Sequence, residues 1–71
     1  MIKKLKAKVV FMNIEEGFWG LSTESENYLP LNFPEQLKSQ GKIVNCRINI
    51  LDDYYTTANW GLACNIISFR T

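Results

Sequence analysis

Few side chains in this chain could carry out covalent or acid–base chemistry. The 71 residues include two cysteines and no histidine, which excludes histidine general bases, Cys-His nucleophiles and His-containing zinc sites. Adjacent carboxylates occur at positions 15–16 and 52–53. Neighbours on extended backbone point apart, whereas acid–base catalysis needs carboxyl groups that converge in a cleft. We therefore expect a protein that is not an enzyme and that holds neither a metal nor a cofactor.

The two cysteines, Cys46 and Cys64, fall on inward positions of two consecutive predicted strands. The midpoint between them lies in the connection, so the thiols could face each other, and a disulfide there would add about 2–4 kcal/mol. Buried free cysteine is also a common small hydrophobic residue in reducing compartments. We favour two free buried thiols, with the disulfide as the alternative. Two thiolates alone do not make a zinc site.

Aromatic side chains are the candidates for binding a ligand. If Leu21 and Leu29 point into a core, the alternation of side chains puts Phe18 and Tyr28 together on the outer face. An exposed pair of this kind is a stacking platform worth ~1–3 kcal/mol per nucleic-acid base. The alternative, which we favour for Phe18, Tyr28 and Trp60, is that these rings close the ends of a small core. The candidates are Phe18, Tyr28 and Trp60 and, in a polar connection with no packing pattern, Tyr54 and Tyr55.

Five stretches of the chain are predicted β-strands, two from alternating apolar and polar residues and the others from the turn residues between them. The first, residues 2–14, alternates strictly at its start and then carries apolar residues in both phases. We expect one long strand that bends to serve two parts of a sheet. Pro30 cannot donate to a ladder and is expected to end the third strand or to lie on an edge. The other predicted strands span residues 18–23, 28–31, 43–50 and 62–69.

The segment between the third and fourth strands contains the signature of a short helix. Asn32 can act as the N-cap, with Glu35 three positions later completing a capping box. Gly41 suits the left-handed residue that ends a helix. We expect about two turns, whose apolar contacts Phe33 and Leu37 plug one end of a barrel.

This order of strands around one short helix looks like the OB-fold, a five-stranded Greek-key barrel with its helix between strands three and four. The chain also resembles a group of small, mostly bacterial OB-like proteins of uncharacterised function over residues 18–69. The resemblance implies a mainly β fold in a single domain, residues 1–71, and a ligand face on strands two and three. It rests on Phe18-Trp-Gly-Leu, Tyr28-Leu-Pro-Leu-Asn-Phe-Pro, Gly41-Lys-Ile-Val-Asn-Cys, Gly61, Cys64 and Ile66.

The charge balance bears on the class of partner. The net charge is +1, far from the basic excess of a domain dominated by phosphate contacts. The loops at residues 13–17 and 52–59 flank the expected ligand face and carry four carboxylates, which repel phosphate. Nucleic acid is therefore disfavoured, although lysines at positions 3–8 with Lys42 and Arg47 could contact its backbone.

We expect a non-catalytic binding module whose ligand is a protein or a small neutral molecule. The rival is a domain that binds single-stranded nucleic acid. A second rival is a structural module that forms oligomers through the first strand or the Pro30 edge. No window has the ~20 apolar residues of a membrane span, and no cleavable signal is visible. We expect a cytoplasmic protein with no membrane partner, unless a signal segment has been removed.

Overall fold

A computed structural model of the chain describes residues 1–52 and 60–70. The chain forms strands in the predicted order, with a single 3-10 turn between the third and fourth. The candidates Tyr54 and Tyr55 lie outside the described residues. The elements are β1 (Ile2–Met12), β2 (Phe18–Ser22), β3 (Asn27–Pro30), the 3-10 turn (Glu35–Leu37), β4 (Ile43–Ile50) and β5 (Leu62–Arg70).

The five strands form one closed sheet in the order β1-β2-β3-β5-β4, with β4 joined back to β1. Neighbouring strands are antiparallel except β3 and β5, which run parallel. The sheet can close because the two halves of β1 pair with different strands, residues 2–8 with β4 and residues 8–12 with β2. The prediction of one long first strand that serves two parts of the sheet is confirmed.

The core lies inside this closed sheet and takes side chains from every strand. Along β1, for example, Ala7 and Val9 are buried while the lysines between and beside them are exposed. Strict alternation of this kind is what places one face of a strand in a core. The core residues are Ala7, Val9, Leu21, Tyr28, Leu37, Val44, Cys46, Ile48, Cys64 and Ile66.

The predicted two-turn helix is wrong in extent. Residues Glu35–Leu37 form one 3-10 turn, which begins after Pro34 and has no side-chain cap. Leu37 is nevertheless fully buried in the core and Phe33 packs against it, so the segment plugs the sheet as expected. Gly41 has the expected positive φ of 84°. No helix in residues 1–52 or 60–70 is long and apolar enough to span a membrane.

Asn32, expected as a helix cap, instead extends the pairing of β3 with β5. Its side-chain Nδ2 donates to the carbonyl oxygen of Ile66 at 3.0 Å, and its Oδ1 accepts from the Ile66 N–H at 2.8 Å. β3 itself ends at Pro30, as the missing N–H of proline predicts, and Leu31 donates its N–H to Cys64 O. A side-chain amide thus continues a backbone ladder for one more step.

β5 contains an irregularity that changes which of its residues face outward. Ile66 lies opposite Ile48, but the next pair is Ser68 opposite Arg47, so Ile67 is an extra residue. An extra residue shifts the alternation of all residues that follow it. Cys64 and Ile66 face the core before the bulge, whereas after it the inward phase passes to Phe69, the partner of Cys46.

Candidate functional site

The stacking platform of Phe18 and Tyr28, the alternative to rings that close the core, does not form. Tyr28 is 1% exposed and belongs to the core. It lies directly opposite Leu21 in the β2–β3 pair, and residues opposite each other in an antiparallel ladder face the same side of the sheet. Since Leu21 faces inward, Tyr28 must as well. The hairpin register was the signal that could have shown this.

The phenol of Tyr28 in β3 reaches the side chain of Lys3 in β1. Lys3 donates from Nζ to Tyr28 Oη at 3.2 Å, and the same nitrogen lies 5.8 Å from the centre of the ring. The hydroxyl of this buried ring thereby has a partner, as buried tyrosines require. Tyr28 is a structural residue in this arrangement, and it is removed from the set of ligand candidates.

A different aromatic pair occupies the outer face of β2. The ring centres of Phe18 and Trp60 are 5.5 Å apart at an interplanar angle of 60°. Trp60 lies against Gly20, where an added Cβ would meet the indole atoms Cζ3 and Cη2. Glycine at position 20 leaves the space that the indole fills. β2 and the residue two positions before β5 therefore pack closely against each other. Phe18 and Trp60, both half-buried, remain candidates.

A groove of about 500 Å³ runs from Trp60 along the turn that joins β2 to β3. The turn is rigid because the Thr23 hydroxyl accepts N–H bonds from residues 25 and 26 and donates to the Glu26 carbonyl. Exposed carboxylates of Glu24 and Glu26 give this groove a negative rim. We call it the acidic groove; it is lined by residues 23–26, Asn27, Trp60, Gly61 and Leu62.

A second aromatic cluster lies on the inner side of β2. Trp19 stands edge-on to Phe11 at 5.1 Å between ring centres and faces Phe33 at 6.2 Å. Trp19 and Phe33 pack against the core. This cluster joins β1, β2 and the segment before the 3-10 turn, and its role is packing.

The two cysteines are both buried and free. The strand register places Cys46 opposite Phe69 and Cys64 opposite Ile50, so the two thiols are not opposite each other, as the disulfide alternative supposed. Burial, and to a smaller extent the charge of Cys46, raises the pKa of the Cys64 thiol to about 12. Burial also raises the pKa of Cys46. Thiols held neutral in this way are poor nucleophiles.

A groove of about 590 Å³ bordered by β1, β4 and β5 was not predicted from the sequence. Its cations come from three strands that are distant in sequence, and Arg70 joins them only because of the bulge at Ile67. None of β1, β4 and β5 contains an aspartate or glutamate. We call it the basic groove; it is lined by the outward-facing Lys4, Arg47 and Arg70 and, from the inward phase of the same strands, by Leu5, Cys46 and Phe69.

No cluster of three or more histidine, cysteine, aspartate or glutamate side chains suited to a metal ion occurs within the ranges that the structure describes.

The described residues form two open grooves of opposite charge, the acidic groove and the basic groove. Comparison with models of known families, with curated proteins and with solved structures found no match to this chain.

Proposed function

We propose that the closed sheet is an OB-fold-like Greek-key barrel and that the protein is a non-catalytic binding module. The strand order β1-β2-β3-β5-β4, the parallel β3–β5 pair and a short turn between β3 and β4 support this assignment. An OB-fold binds its ligands on the face of strands two and three between two flanking loops. On this chain that face carries the aromatic pair and the acidic groove.

The ligand that suits this face is a segment of another protein. Phe18 and Trp60 offer apolar contact area of the kind that anchors interfaces, and Glu24 and Glu26 beside them attract basic side chains. A small molecule would need a deeper apolar pocket than this open groove on a sheet surface. The observation that carries the proposal is the indole of Trp60, held against Gly20 at the edge of the acidic groove.

The rival role as an oligomer-forming module has less support. It requires an unpaired strand edge. The closed order gives every strand two neighbours, so no strand is a free edge along its whole length. What is left unpaired is the second side of each half of β1, because residues 2–8 pair with β4 and residues 8–12 with β2.

The proposal is tested by selecting ligands from a random peptide library displayed on phage. Selected peptides should be rich in aromatic and basic residues, and Trp60→Ala should weaken their binding by about tenfold or more, as loss of an aromatic anchor does. Replacing Glu24 and Glu26 together with glutamine should weaken basic peptides selectively. Phe69→Ala, in the other groove, is the control and should leave binding unchanged.

Tryptophan emission gives a second measurement that does not depend on truncating Trp60. In a Trp19→Phe background, Trp60 is the remaining tryptophan, because the chain has two. A selected peptide that binds at the acidic groove should shift its emission. Peptides that bind Trp60→Ala as well as the wild type, or leave the emission unchanged, would place the ligand elsewhere and refute the proposal.

A further inference from the structure

The outer face of β1, β4 and β5 carries a concentration of positive charge that the net charge conceals. Its exposed cations include Lys4, Lys6, Arg47 and Arg70. Within residues 1–52 and 60–70, no ion pair or side-chain hydrogen bond involves any of these four. We propose that the basic groove on this face is a second binding site and that it takes single-stranded nucleic acid, through its phosphates.

The strand register sets the cations side by side. Lys4 pairs with Arg47, which pairs with Ser68, and Lys6 pairs with Asn45, which pairs with Arg70. Adjacent strands are ~4.8 Å apart and alternate residues along a strand ~7 Å apart, so all four charges lie within reach of one extended polyanion. Like charges directly opposite each other destabilise a sheet. An arrangement that opposes folding indicates a ligand that neutralises it.

The bulge at Ile67 is what completes this array. Without the extra residue, the alternation of β5 would continue from Cys64 and Ile66, and Arg70 would point toward the core. The shift in phase puts Arg70 beside Asn45 on the outer face. Bulges commonly re-aim a side chain next to a functional site, and here the re-aimed side chain is a guanidinium, which pairs with phosphate in a bidentate geometry.

Phe69 favours single-stranded nucleic acid over other anionic partners. Its ring is 38% exposed and lines the same groove as Arg47 and Arg70. A positive groove with an aromatic side chain available to a base is the arrangement by which proteins bind single strands without sequence preference. Duplex DNA keeps its bases stacked away from such a ring.

Glu24 and Glu26 line the acidic groove beside β2 and β3, and neither lines the basic groove. The residues lining the basic groove include no carboxylate, so the repulsion of phosphate expected at the acidic groove is absent from its walls. The two grooves therefore select ligands of opposite charge. The second site is independent of the proposed function and can be tested without knowledge of the protein ligand.

The test is the fluorescence anisotropy of a labelled oligothymidylate titrated with the full chain at low salt. Binding should weaken steeply as salt rises, because phosphate contacts release counterions. The double variant Arg47→Gln/Arg70→Gln should weaken binding by about tenfold and reduce the slope of log K against log salt by about 0.7 for each arginine. Phe69→Leu should weaken binding without changing the slope.

The matched control is Lys38→Gln, which removes one charge at the exit of the 3-10 turn and is compared with Arg70→Gln alone. It should change affinity by no more than about twofold near physiological salt, where attraction between charges more than ~8 Å apart is largely screened. Trp60→Ala should leave oligothymidylate binding unchanged and so separates this site from the acidic groove. Circular dichroism checks that each variant is folded.

Four results would overturn the proposal. These are no binding at low salt, equal losses in the test and control variants, loss of binding in Trp60→Ala, and binding to phosphatidylserine vesicles in place of the oligonucleotide. Heparin and inorganic phosphate are run in parallel. Heparin binding equal to that of the oligonucleotide and insensitive to Phe69→Leu would assign the groove to sulfated polysaccharide instead.

Discussion

The indole of Trp60 lies against Gly20, so close that a Cβ at position 20 would stand 2.6 Å from the indole atom Cη2. This contact ties the start of β5 to the middle of β2. It also fixes where the aromatic surface meets the acidic groove.

Gly20→Ala should therefore displace Trp60. We expect the free energy of unfolding to fall by about 1–3 kcal/mol, the usual cost of an added methyl group in a filled site, and chemical denaturation followed by circular dichroism measures it. The control is the same substitution in a Trp60→Ala background, where the loss should be smaller because the ring is gone. Equal losses in both backgrounds would show that Trp60 is not what restricts position 20.

Tyr28 provides a test of its place in the core. Tyr28→Ala should lower the free energy of unfolding by about 3–5 kcal/mol, as for other buried aromatic residues. Tyr28→Phe removes only the hydrogen bond from Lys3 and should cost about 0.5–1.5 kcal/mol. Lys3→Met should then have little further effect in the Tyr28→Phe variant. A change within about 0.5 kcal/mol for Tyr28→Ala would instead indicate a surface position.

β1 and β4 could be predicted from the sequence because the start of β1 and the whole of β4 carry a period-two pattern. Residues 43–50 alternate throughout and form β4 over that range. What the pattern does not contain is the register between strands. The sequence left open whether Tyr28 faces outward or lies in the core, and which residue lies opposite Cys46, because both depend on how two strands align rather than on either strand alone.

A substitution at Asn32 distinguishes between its predicted role as a helix cap and its observed hydrogen bonds to the backbone of β5. As a helix N-cap, aspartate serves about as well as asparagine. In the structure Asn32 both donates to and accepts from the backbone of Ile66, and a carboxylate can only accept. Asn32→Asp should therefore lower the free energy of unfolding by about 1–3 kcal/mol, the cost of leaving a carbonyl facing an acceptor.

The matched control for this position is Glu35→Gln, which leaves the ladder contact intact and removes the salt bridge to Lys38. That bridge is exposed at Glu35 and should contribute little. Thermal unfolding at neutral pH compares the two variants. If Asn32→Asp were as stable as the wild type, the amide would not be supporting the β3–β5 pair.

The buried thiols predict a loss of stability in alkaline solution. The pKa of Cys64 is raised to about 12 by burial and then by Cys46, whereas an unfolded thiol titrates near 8.5. The native state is thus the one that keeps the proton. Stability is complete below about pH 8.5 and falls as pH rises toward 12, by at most about 1.4 kcal/mol per pH unit for this thiol.

Denaturant unfolding between neutral and alkaline pH measures this slope, and Cys64→Ala should reduce it relative to the wild type. In the native protein both thiols should react slowly with a disulfide reagent and rapidly after unfolding. A native mass two daltons below that of the reduced chain would reveal a disulfide and contradict the free thiols.

The basic groove could not be predicted from the sequence for a physical reason. Lys4 and Arg47 are adjacent only through the pairing of β1 with β4, and the outward phase of Arg70 depends on one extra residue in β5. The net charge sums over the whole chain, so the acidic residues elsewhere offset the positive charge of the basic groove. The fold keeps these two sets of charges on different parts of the surface. Trp60 and Phe18 were both identified as candidates from the sequence. That their rings contact each other, and that Trp60 packs against Gly20, could be seen only in the structure.

Arg47→Glu should separate folding from binding at the basic groove. A carboxylate there would face Lys4 directly across the β1–β4 pair, replacing a repulsive pair with an attractive one worth about 0.2–1 kcal/mol. The variant should unfold at a higher temperature than the wild type at low salt. The difference should shrink as salt is added, because both the lost repulsion and the new attraction are screened. Oligothymidylate binding should be lost in the same variant.

Arg47→Gln, which removes the repulsion without adding the attraction, should have a stability between those of the wild type and Arg47→Glu. If Arg47→Glu lowered the unfolding temperature at low salt, Lys4 and Arg47 would not face each other, and the like-charge array would not be the reason for assigning an anionic ligand to this face.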